Sequence, residues 1–443
     1  MKLTFILPAI GKKKGKKYIG TWKMEPLTIA VLKALTPSDI ETELFDDRIE
    51  LIDYEAPTDL VLISVETYTA RRSYDIAAIY RKKGVKVILG GYHVTLLPNE
   101  AEEYADAIIT GNAETVWHEM LDDFRHHALK KKYDGKPGFC SVRPDKSIFK
   151  GKKYLPVSLV ETGRGCCHSC EFCAISGYYH NKYHPRNHDD IIADIKASEH
   201  KYFFMVDDNL VANRKHALEL FRKIKPLHIR WAGQGTLSMA KDEELLKAMK
   251  QSGCELILIG FETLQEDTLK KMNKSINIAC DETDKLVQRI HNVGIGIYAT
   301  FVFGYENDTE ETFAQTLAFA RKHNFYTVAF NHLLPFPGTP LYQRLKTEGK
   351  LIYDKWWLEK DYHYGSLAFH PQQMSAEQLS RSCLKLREEY AGLKTVFRRG
   401  IVSMKRNSPL VWWLFWAMNL RLGEEVSQKM NVPIGQHLDE YPK

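Results

Sequence analysis

The stretch Gly163–Cys173, GRGCCHSCEFC, decides how the rest of this chain is interpreted. It places three thiols, at Cys166, Cys170 and Cys173, in a C-x3-C-x2-C spacing directly after the apolar run 157–160. Three soft ligands on one loop suit three irons of a [4Fe–4S] cube and leave the fourth iron open. An open iron can hold the amine and carboxylate of S-adenosylmethionine (SAM), into which a reduced cluster passes one electron. The loop therefore predicts a radical-forming enzyme.

Two other uses of these cysteines remain open. Counting from Cys167 gives C-x2-C-x2-C, which begins a bacterial ferredoxin run. That run needs a fourth cysteine followed by proline, whereas Gly177 stands at the required position. Structural zinc needs a second pair of ligands at a typical spacing, and the cysteines at 140, 254, 280 and 383 stand alone. Both alternatives fit the spacing less well than the cube does.

The bulk composition is that of an ordinary globular chain. Its 443 residues are enough for two or three domains, and 44% of them are hydrophobic. A net charge of +6 does not by itself favour nucleic acid as a partner. The start lacks the pattern of a signal peptide, and no apolar run reaches the roughly 18 residues of a spanning helix. Eight cysteines without a disulfide framework fit a reducing compartment, so we expect a cytoplasmic protein.

The alternation of strands and helices divides the chain into parts. Residues 1–135, with continuous apolar runs at 60–65 and 85–89, predict a Rossmann-like, doubly wound parallel sheet. A polar, proline- and glycine-containing stretch over 136–155 predicts a linker. Residues 156–348 contain six strand–helix units, too few for a closed eight-unit barrel, and predict a partial (β/α)6 barrel. Residues 349–443 predict a mostly helical C-terminal extension.

At the cysteine loop the chain resembles the radical SAM superfamily, whose fold is such a partial barrel. The resemblance implies that the three cysteines ligate the cluster and that Phe172 packs on the adenine of SAM. It carries further SAM contacts onto Gly260 and Glu262, onto Phe301 and Gly304, and onto Asp208 of the Asp207-Asp208-Asn209 triplet. Substrate or catalytic roles are expected for Asp207, Asn209 and His332. Structural uses stay open for all of these polar residues, including helix capping by Glu262 or by the triplet.

The first part of the chain resembles the cobalamin-binding domain that precedes many radical enzymes. Ligands of such sheets lie beyond the carboxyl ends of the strands. The expected cobalamin contacts there are Ser64, Glu66, Thr67, Gly90, Gly91, His93, Thr95, Gly111 and Glu114. The family's D-x-H-x-x-G motif is missing, because its nearest match, Asp361–Gly365, lies outside this part and is one residue short. Cobalamin would then bind without a protein histidine on cobalt; a Rossmann-like domain without corrinoid is the alternative.

Taken together, the resemblance implies a cobalamin-dependent radical SAM methyltransferase acting on an unactivated carbon. It would cleave SAM reductively to a 5′-deoxyadenosyl radical, using electrons from a donor such as flavodoxin or ferredoxin. The alternatives are a cyclisation or rearrangement without methyl transfer, and a non-catalytic cobalamin or iron–sulfur sensor. The substrate is expected to be a small molecule, with no nucleic acid partner.

The tryptophan-rich segment 410–418 follows a cluster of basic residues. It is too short to span a bilayer. Three uses are open: docking on the barrel, roofing a cavity for an apolar substrate, or contact with a membrane surface.

Overall fold

The computed structural model describes residues 1–274, 280–406 and 408–440. Its first part is a six-stranded, all-parallel sheet with the strand order β2-β1-β3-β4-β5-β6. The strands are β1 (Lys2–Leu7), β2 (Glu41–Asp46), β3 (Leu60–Ser64), β4 (Lys86–Gly90), β5 (Ala107–Thr110) and β6 (Lys132–Asp134). The helices are α1 (Leu27–Leu35), α2 (Ala70–Lys82), α3 (Tyr92–Leu96), α4 (Pro98–Tyr104) and α5 (Trp117–Arg125).

Strand β3 shows why this sheet forms. Its sequence LVLIS is apolar at successive positions, as expected for a strand covered on both faces. Successive side chains point to opposite faces, so Val61 and Ile63 join one hydrophobic core and Leu60 and Leu62 join the other. Helices on both sides complete the doubly wound sheet, as predicted.

The second part is a parallel sheet of six strands in the order β14-β13-β12-β11-β10-β7. These strands are β7 (Ser158–Val160), β10 (Tyr202–Met205), β11 (Arg230–Gly235), β12 (Cys254–Glu262), β13 (Gly296–Phe303) and β14 (Thr327–His332). Two three-residue strands, β8 (Gly163–Gly165) and β9 (Tyr183–Pro185), form an antiparallel pair beside the cysteine loop. The surrounding helices are α6 (Ala174–Tyr179), α7 (His188–Ala197), α8 (Arg214–Ile224), α9 (Glu243–Gln251), α10 (Glu266–Lys271), α11 (Cys280–Asn292), α12 (Glu310–His323) and α13 (Pro340–Thr347). The predicted partial barrel is confirmed.

The C-terminal extension contacts both sheets. It contains α14 (Ala376–Ala391), α15 (Leu393–Arg406), α16 (Pro409–Asn419) and α17 (Leu422–Lys429). Helix α14 packs beside β14, where Arg387 Nε donates to the Phe330 carbonyl at 2.7 Å. Further along, the Gly435 N–H donates to the Ile10 carbonyl at 2.6 Å. The extension therefore fixes the barrel against the first sheet.

Helix α16 docks on the barrel, which is one of the three uses open for the tryptophan-rich segment. The Tyr326 hydroxyl, just before β14, donates to the Val411 carbonyl at 3.0 Å, and its ring meets the buried ring of Phe415 edge-on. In the described part of the chain, no helix is long and apolar enough to cross a membrane.

Candidate active site

The three predicted cluster cysteines lie together on the loop between β8 and α6. Cys170 is buried, while Cys166 and Cys173 are partly buried. Burial raises the pKa of Cys170 to about 11 and also raises the pKa of Cys166 and Cys173, and the negative charge of each neighbouring thiolate adds to this effect. Iron ligation deprotonates thiols outright and removes that cost. Three partly shielded thiols on one loop thus match, in number and in kind, the donors that a cube with one open iron needs.

Polar groups of the chain support two of these thiols. Asn209 Nδ2 donates to Cys166 Sγ at 3.6 Å. Cys173 is the residue just before α6, and the N–H groups of Ile175 and Ser176 point at its sulfur. Donors at a helix N-terminus stabilise a thiolate. Cys167, by contrast, is exposed and contacts the ring of its neighbour His168.

Glu262 lies at the carboxyl end of β12 in a constrained conformation. Its φ is +62°, which is rare for a residue with a side chain, and the pairing with β13 shifts register at this point. The carboxylate is buried and forms an ion pair with Lys274, whose ammonium also lies 6.0 Å from the ring centroid of Phe172. Gly260 is next to both groups, since a Cβ there would meet Glu262 Oε1 at 2.1 Å. The predicted residues Phe172, Gly260 and Glu262 are therefore brought together.

The Asp207-Asp208-Asn209 triplet follows β10 and its three side chains go to different places. Asp207 is buried and accepts hydrogen bonds from the N–H and hydroxyl of Thr162, at 2.9 and 2.6 Å; burial raises its pKa to about 8. Asp208 accepts from the Gly165 N–H at 2.8 Å, and burial raises its pKa to about 6. Asn209 contacts the cluster cysteine Cys166. Asp207 therefore links the end of β10 to Thr162, which follows the neighbouring strand β7. The structure does not show the substrate role that was predicted for Asp207.

A cavity of about 270 Å³, here called the interdomain cavity, separates the first sheet from the barrel. The predicted cobalamin residues among its lining residues are Ser64, Gly90, Gly91, Gly111 and Glu114. The barrel side contributes Arg164 and Asp208. Arg164 joins the two sides through its ion pair with Glu114 at 2.6 Å, and it also pairs with Glu161 on its own side at 2.7 Å.

The glycines of this cavity are not equivalent. Gly91 and Gly111 have φ of +110° and +68°, and a Cβ on either would collide with backbone, so the fold itself requires them. A Cβ on Gly90 would meet nothing nearer than 3.8 Å. Internal packing therefore does not explain why residue 90 is a glycine. A flat ligand lying on the end of β4 would explain it, because a side chain there would be in its way. The end of β4 therefore offers an open backbone surface to a flat ligand such as a corrin ring.

Four predicted cobalamin residues do not line the interdomain cavity, and these predictions are corrected. His93 is fully buried, with its Nε2 at 3.1 Å from Glu100 Oε1 and its Nδ1 at 3.3 Å from the Thr67 hydroxyl. Glu66 caps the short turn Thr67–Thr69. The Thr95 hydroxyl donates to the Gly91 carbonyl and accepts from the Gly111 N–H, at 3.0 and 2.9 Å. These side chains hold the loops in shape.

A second cavity, of about 250 Å³, lies at the end of the barrel beside the cysteine loop and is called the barrel-end cavity. Phe172 and His332 are among its lining residues. Burial lowers the pKa of His332, so its imidazole is neutral near pH 7, and its Nδ1 lies 3.1 Å from the Leu333 carbonyl oxygen. This placement keeps His332 as a candidate for contact with substrate.

Phe301 and Gly304, whose backbone is expected to contact SAM, lie at the carboxyl end of β13 and directly after it. Phe301 is fully buried and stacks between Phe261 and Phe330, whereas the next residue, Val302, lines the barrel-end cavity. Gly304 has φ of +121° and packs against Phe369 and Leu379 of the extension. Any SAM contact at Phe301 would come from its backbone, because its side chain belongs to the core.

The sequence reasoning missed Lys274, Arg164 and Arg387, which are the cations at these sites. Each of them lies far along the chain from at least one of its partners, so the spacing of residues in the sequence could not indicate the contact. Arg164 stands within the decisive GRGCC stretch itself, and its position between two carboxylates could be found only in three dimensions.

Comparison with known proteins agrees with this geometry. Residues 160–320 match the family model described as the radical SAM superfamily. This match covers 161 of the 443 residues, and it is this segment that is similar to the radical SAM superfamily. The matched segment spans β7 to α12, including the cysteine loop and Glu262.

Curated relatives of this chain include methyltransferases. It is 29% identical over 412 residues to the bacteriochlorophyllide d C-12(1)-methyltransferase of Chlorobaculum tepidum, covering 89% of this chain and 88% of that protein. It is 26% identical over 350 residues to the hopanoid C-2 methylase of Rhodopseudomonas palustris, covering 75% of this chain and 66% of that protein.

Solved structures share its fold. The methyltransferase TsrM from Kitasatospora setae, solved with cobalamin and a [4Fe–4S] cluster, has a TM-score of 0.69 at 14% identity, covering 96% of this chain and 99% of that one. The cobalamin-dependent radical enzyme OxsB, solved with aqua-cobalamin and SAM, has a TM-score of 0.68 at 13% identity, covering 96% and 72%. The three-part architecture is thus that of known radical SAM enzymes.

Proposed function

We propose that this protein is a cobalamin-dependent radical SAM methyltransferase that acts on an unactivated carbon of a small molecule. One observation carries the proposal: the cysteine loop region borders both cavities. Arg164 lines the interdomain cavity and Phe172, eight positions later, lines the barrel-end cavity. A methyl donor, a radical source and a substrate would thereby be neighbours, as transfer between them requires.

The residues of the chain divide the work of binding. Cys166, Cys170 and Cys173 would hold the cluster, with Asn209 donating to the first of them. When bound, the cluster and SAM supply a 5′-deoxyadenosyl radical, and cobalamin supplies a transferable methyl group. Phe172 offers a face to the adenine, and Glu262 offers a carboxylate to the ribose hydroxyls. On the first sheet, Gly90 leaves room for the corrinoid because it has no side chain.

The proposed substrate is an apolar molecule. The two methyltransferases compared above act, by their names, on a bacteriochlorophyllide and on a hopanoid. The barrel-end cavity has a suitable apolar wall, which includes Val302, Leu334 and Phe336. We further propose a cytoplasmic enzyme that receives single electrons from a flavodoxin or ferredoxin.

Contact with a membrane surface is a separate part of the proposal and rests on α15. This helix exposes Leu393, Phe397, Ile401 and Met404, each 55–65% accessible and spaced by three or four residues, so that they form one stripe. The stripe continues onto α16, because the rings of Phe397 and Trp416 lie 5.2 Å apart and Trp413 is exposed. Residues 393–423 contain six lysines and arginines and no carboxylate side chain. An apolar stripe in a basic segment suits a surface with anionic lipids.

The experiment for the proposed function uses anaerobically reconstituted protein with SAM that carries a trideuterated methyl group. Candidate apolar substrates, including a bacteriochlorophyllide and a hopanoid, are supplied together with reductant. The proposal expects the labelled methyl group on carbon in the product, only when cobalamin is present. Unlabelled, rearranged product would favour the rearrangement enzyme instead, and full activity without cobalamin would remove the corrinoid from the account.

A further inference from the structure

We propose that the barrel-end cavity recognises an anionic group on its otherwise apolar substrate, and that Arg387 is the residue that binds this group. The inference rests on the proposed function, because it names the class of substrate for the same site. It predicts an apolar or aromatic skeleton that carries a carboxylate or phosphate.

All three parts of the chain build this cavity. The first sheet contributes Tyr68, the barrel contributes Val302 and His332, and the extension contributes Tyr364 and Arg387. The aromatic rings hold one another, since the centroid of Tyr68 lies 5.3 Å from that of Tyr364 and 6.2 Å from that of Phe336. Because its walls come from three parts of the chain, the cavity is pre-formed, and its apolar faces are in position before any ligand binds.

Arg387 reaches this cavity from α14 and is held in place by neutral groups. Its Nε donates to the Phe330 carbonyl at 2.7 Å and its Nη2 to Asn331 Oδ1 at 3.0 Å, while Nη1 lies 3.2 Å from Met430 Sδ. A guanidinium has five N–H groups, so these contacts leave donors for a ligand. Among the described residues, no carboxylate forms an ion pair with Arg387.

The charge of Arg387 is not balanced by the cavity wall. Of the eleven residues that line the cavity, Arg387 alone carries a permanent charge, and none is aspartate or glutamate. His332 adds no negative charge. Burial lowers the pKa of its imidazole, and the positive charge of the nearby Arg387 lowers it further. A shielded cation among aromatic rings attracts an oxyanion strongly, and a guanidinium binds carboxylate or phosphate with two parallel hydrogen bonds. The position and the charge of Arg387 therefore favour an acidic substrate.

The test measures binding and does not need the natural substrate. Holoprotein reconstituted with cluster and SAM is titrated, by equilibrium dialysis, with 1-naphthaleneacetate, with its methyl ester and with 1-naphthyl phosphate. We expect at least one of the two anions to bind at least about tenfold more tightly than the ester. Which anion binds more tightly distinguishes a carboxylate substrate from a phosphate substrate.

Variants assign this preference to Arg387. We expect R387Q to bind anion and ester within about twofold of each other and R387K to keep part of the preference. R381Q, at an exposed arginine of the same helix, should behave like the wild type. Thermal unfolding of each variant checks that the protein is folded.

Three results would overturn the inference: equal binding of ester and anions to wild type, an unchanged preference in R387Q, or a weakened affinity of R387Q for SAM, which would assign Arg387 to the cofactor. An intact anion preference in a protein that transfers no methyl group would contradict the proposed function and leave this inference standing.

Discussion

Lys274 and Glu262 form an ion pair that is shielded from solvent beside the cysteine loop. Only 12% of the lysine side chain and 8% of the glutamate side chain are accessible. The pair joins the end of β12 to the segment after α10, and the lysine ammonium also faces Phe172. Burial is the largest single effect on the pKa of Lys274 and lowers it, but the charge and hydrogen bond of Glu262, together with the nearby Cys170 and Cys173, raise the pKa above its ordinary value. Lys274 therefore holds the carboxylate proposed to bind SAM in a fixed place.

Replacing Lys274 tests this arrangement. We expect K274Q to bind SAM at least about tenfold more weakly, because Glu262 would lose the partner that orients it. The dissociation constant is measured by calorimetry on protein with its cluster reconstituted. K270Q is the control, since Lys270 is exposed and, within the described part of the chain, its ion pair is with Asp267 of its own helix. Equal SAM affinity in K274Q and wild type would show that the pair is structural only.

Gly90 tests the corrinoid site. G90V adds a side chain to a residue that lines the interdomain cavity, at a position where the Cβ itself would meet only Ile109, at 3.8 Å. We expect the variant to unfold near the wild-type temperature and to bind cobalamin at least about tenfold more weakly, as measured by its visible absorbance after desalting. G20A, at an open position outside this cavity, should bind like the wild type. Unchanged corrinoid binding in G90V would place the cofactor elsewhere.

Arg164 tests how the two sheets are joined. Its side chain is 13% accessible and pairs with Glu114 and Glu161, so R164M would leave two shielded carboxylates without this partner. Breaking such a buried network costs about 3–5 kcal/mol. R222M removes the exposed pair between Arg222 and Glu244 and should cost no more than about 1 kcal/mol. Urea unfolding of the two variants compares these costs, and similar losses would mean that Arg164 does not hold the interface.

The apolar stripe of α15 tests the membrane proposal. The wild type should sediment with vesicles that contain anionic lipid and much less with neutral vesicles, because both the stripe and the basic residues contribute. The double variant F397E/I401E should stay in the supernatant, while Y202E, at an exposed tyrosine of the barrel, should still sediment. The proposal would be contradicted if the wild type did not sediment with vesicles and instead formed a dimer in solution that F397E/I401E could not form. The stripe would then be the contact surface for a second copy of the chain.

The sequence predicted most of the fold because buried parallel strands are continuous apolar runs. Strands β3 and β4 were placed within one residue at each end. Strand β2, ETELFD, was missed because three of its six residues carry carboxylates, which an edge strand tolerates. The β8–β9 pair was missed as well, since three-residue strands have too little pattern to recognise.

The site was predictable where its residues are neighbours along the chain. The three cysteines share one loop, so their spacing alone carried the prediction. His93 was misplaced because the sequence showed that it lies in a loop at a strand end, but not that Glu100 and the distant Trp357 would enclose it. Arg387 and Phe330 are 57 residues apart along the chain, and it is the packing of α14 on β14 that brings them into contact.

The most direct measurement is the formation of 5′-deoxyadenosine from SAM when the anaerobically reconstituted protein is reduced with dithionite. We predict that the wild type forms it, and that alanine at Cys166, Cys170 or Cys173 abolishes it and lowers the iron content. Alanine at the exposed Cys167 should change neither quantity. Iron-loaded wild type that leaves SAM intact, or full iron and turnover in C170A, would contradict the account.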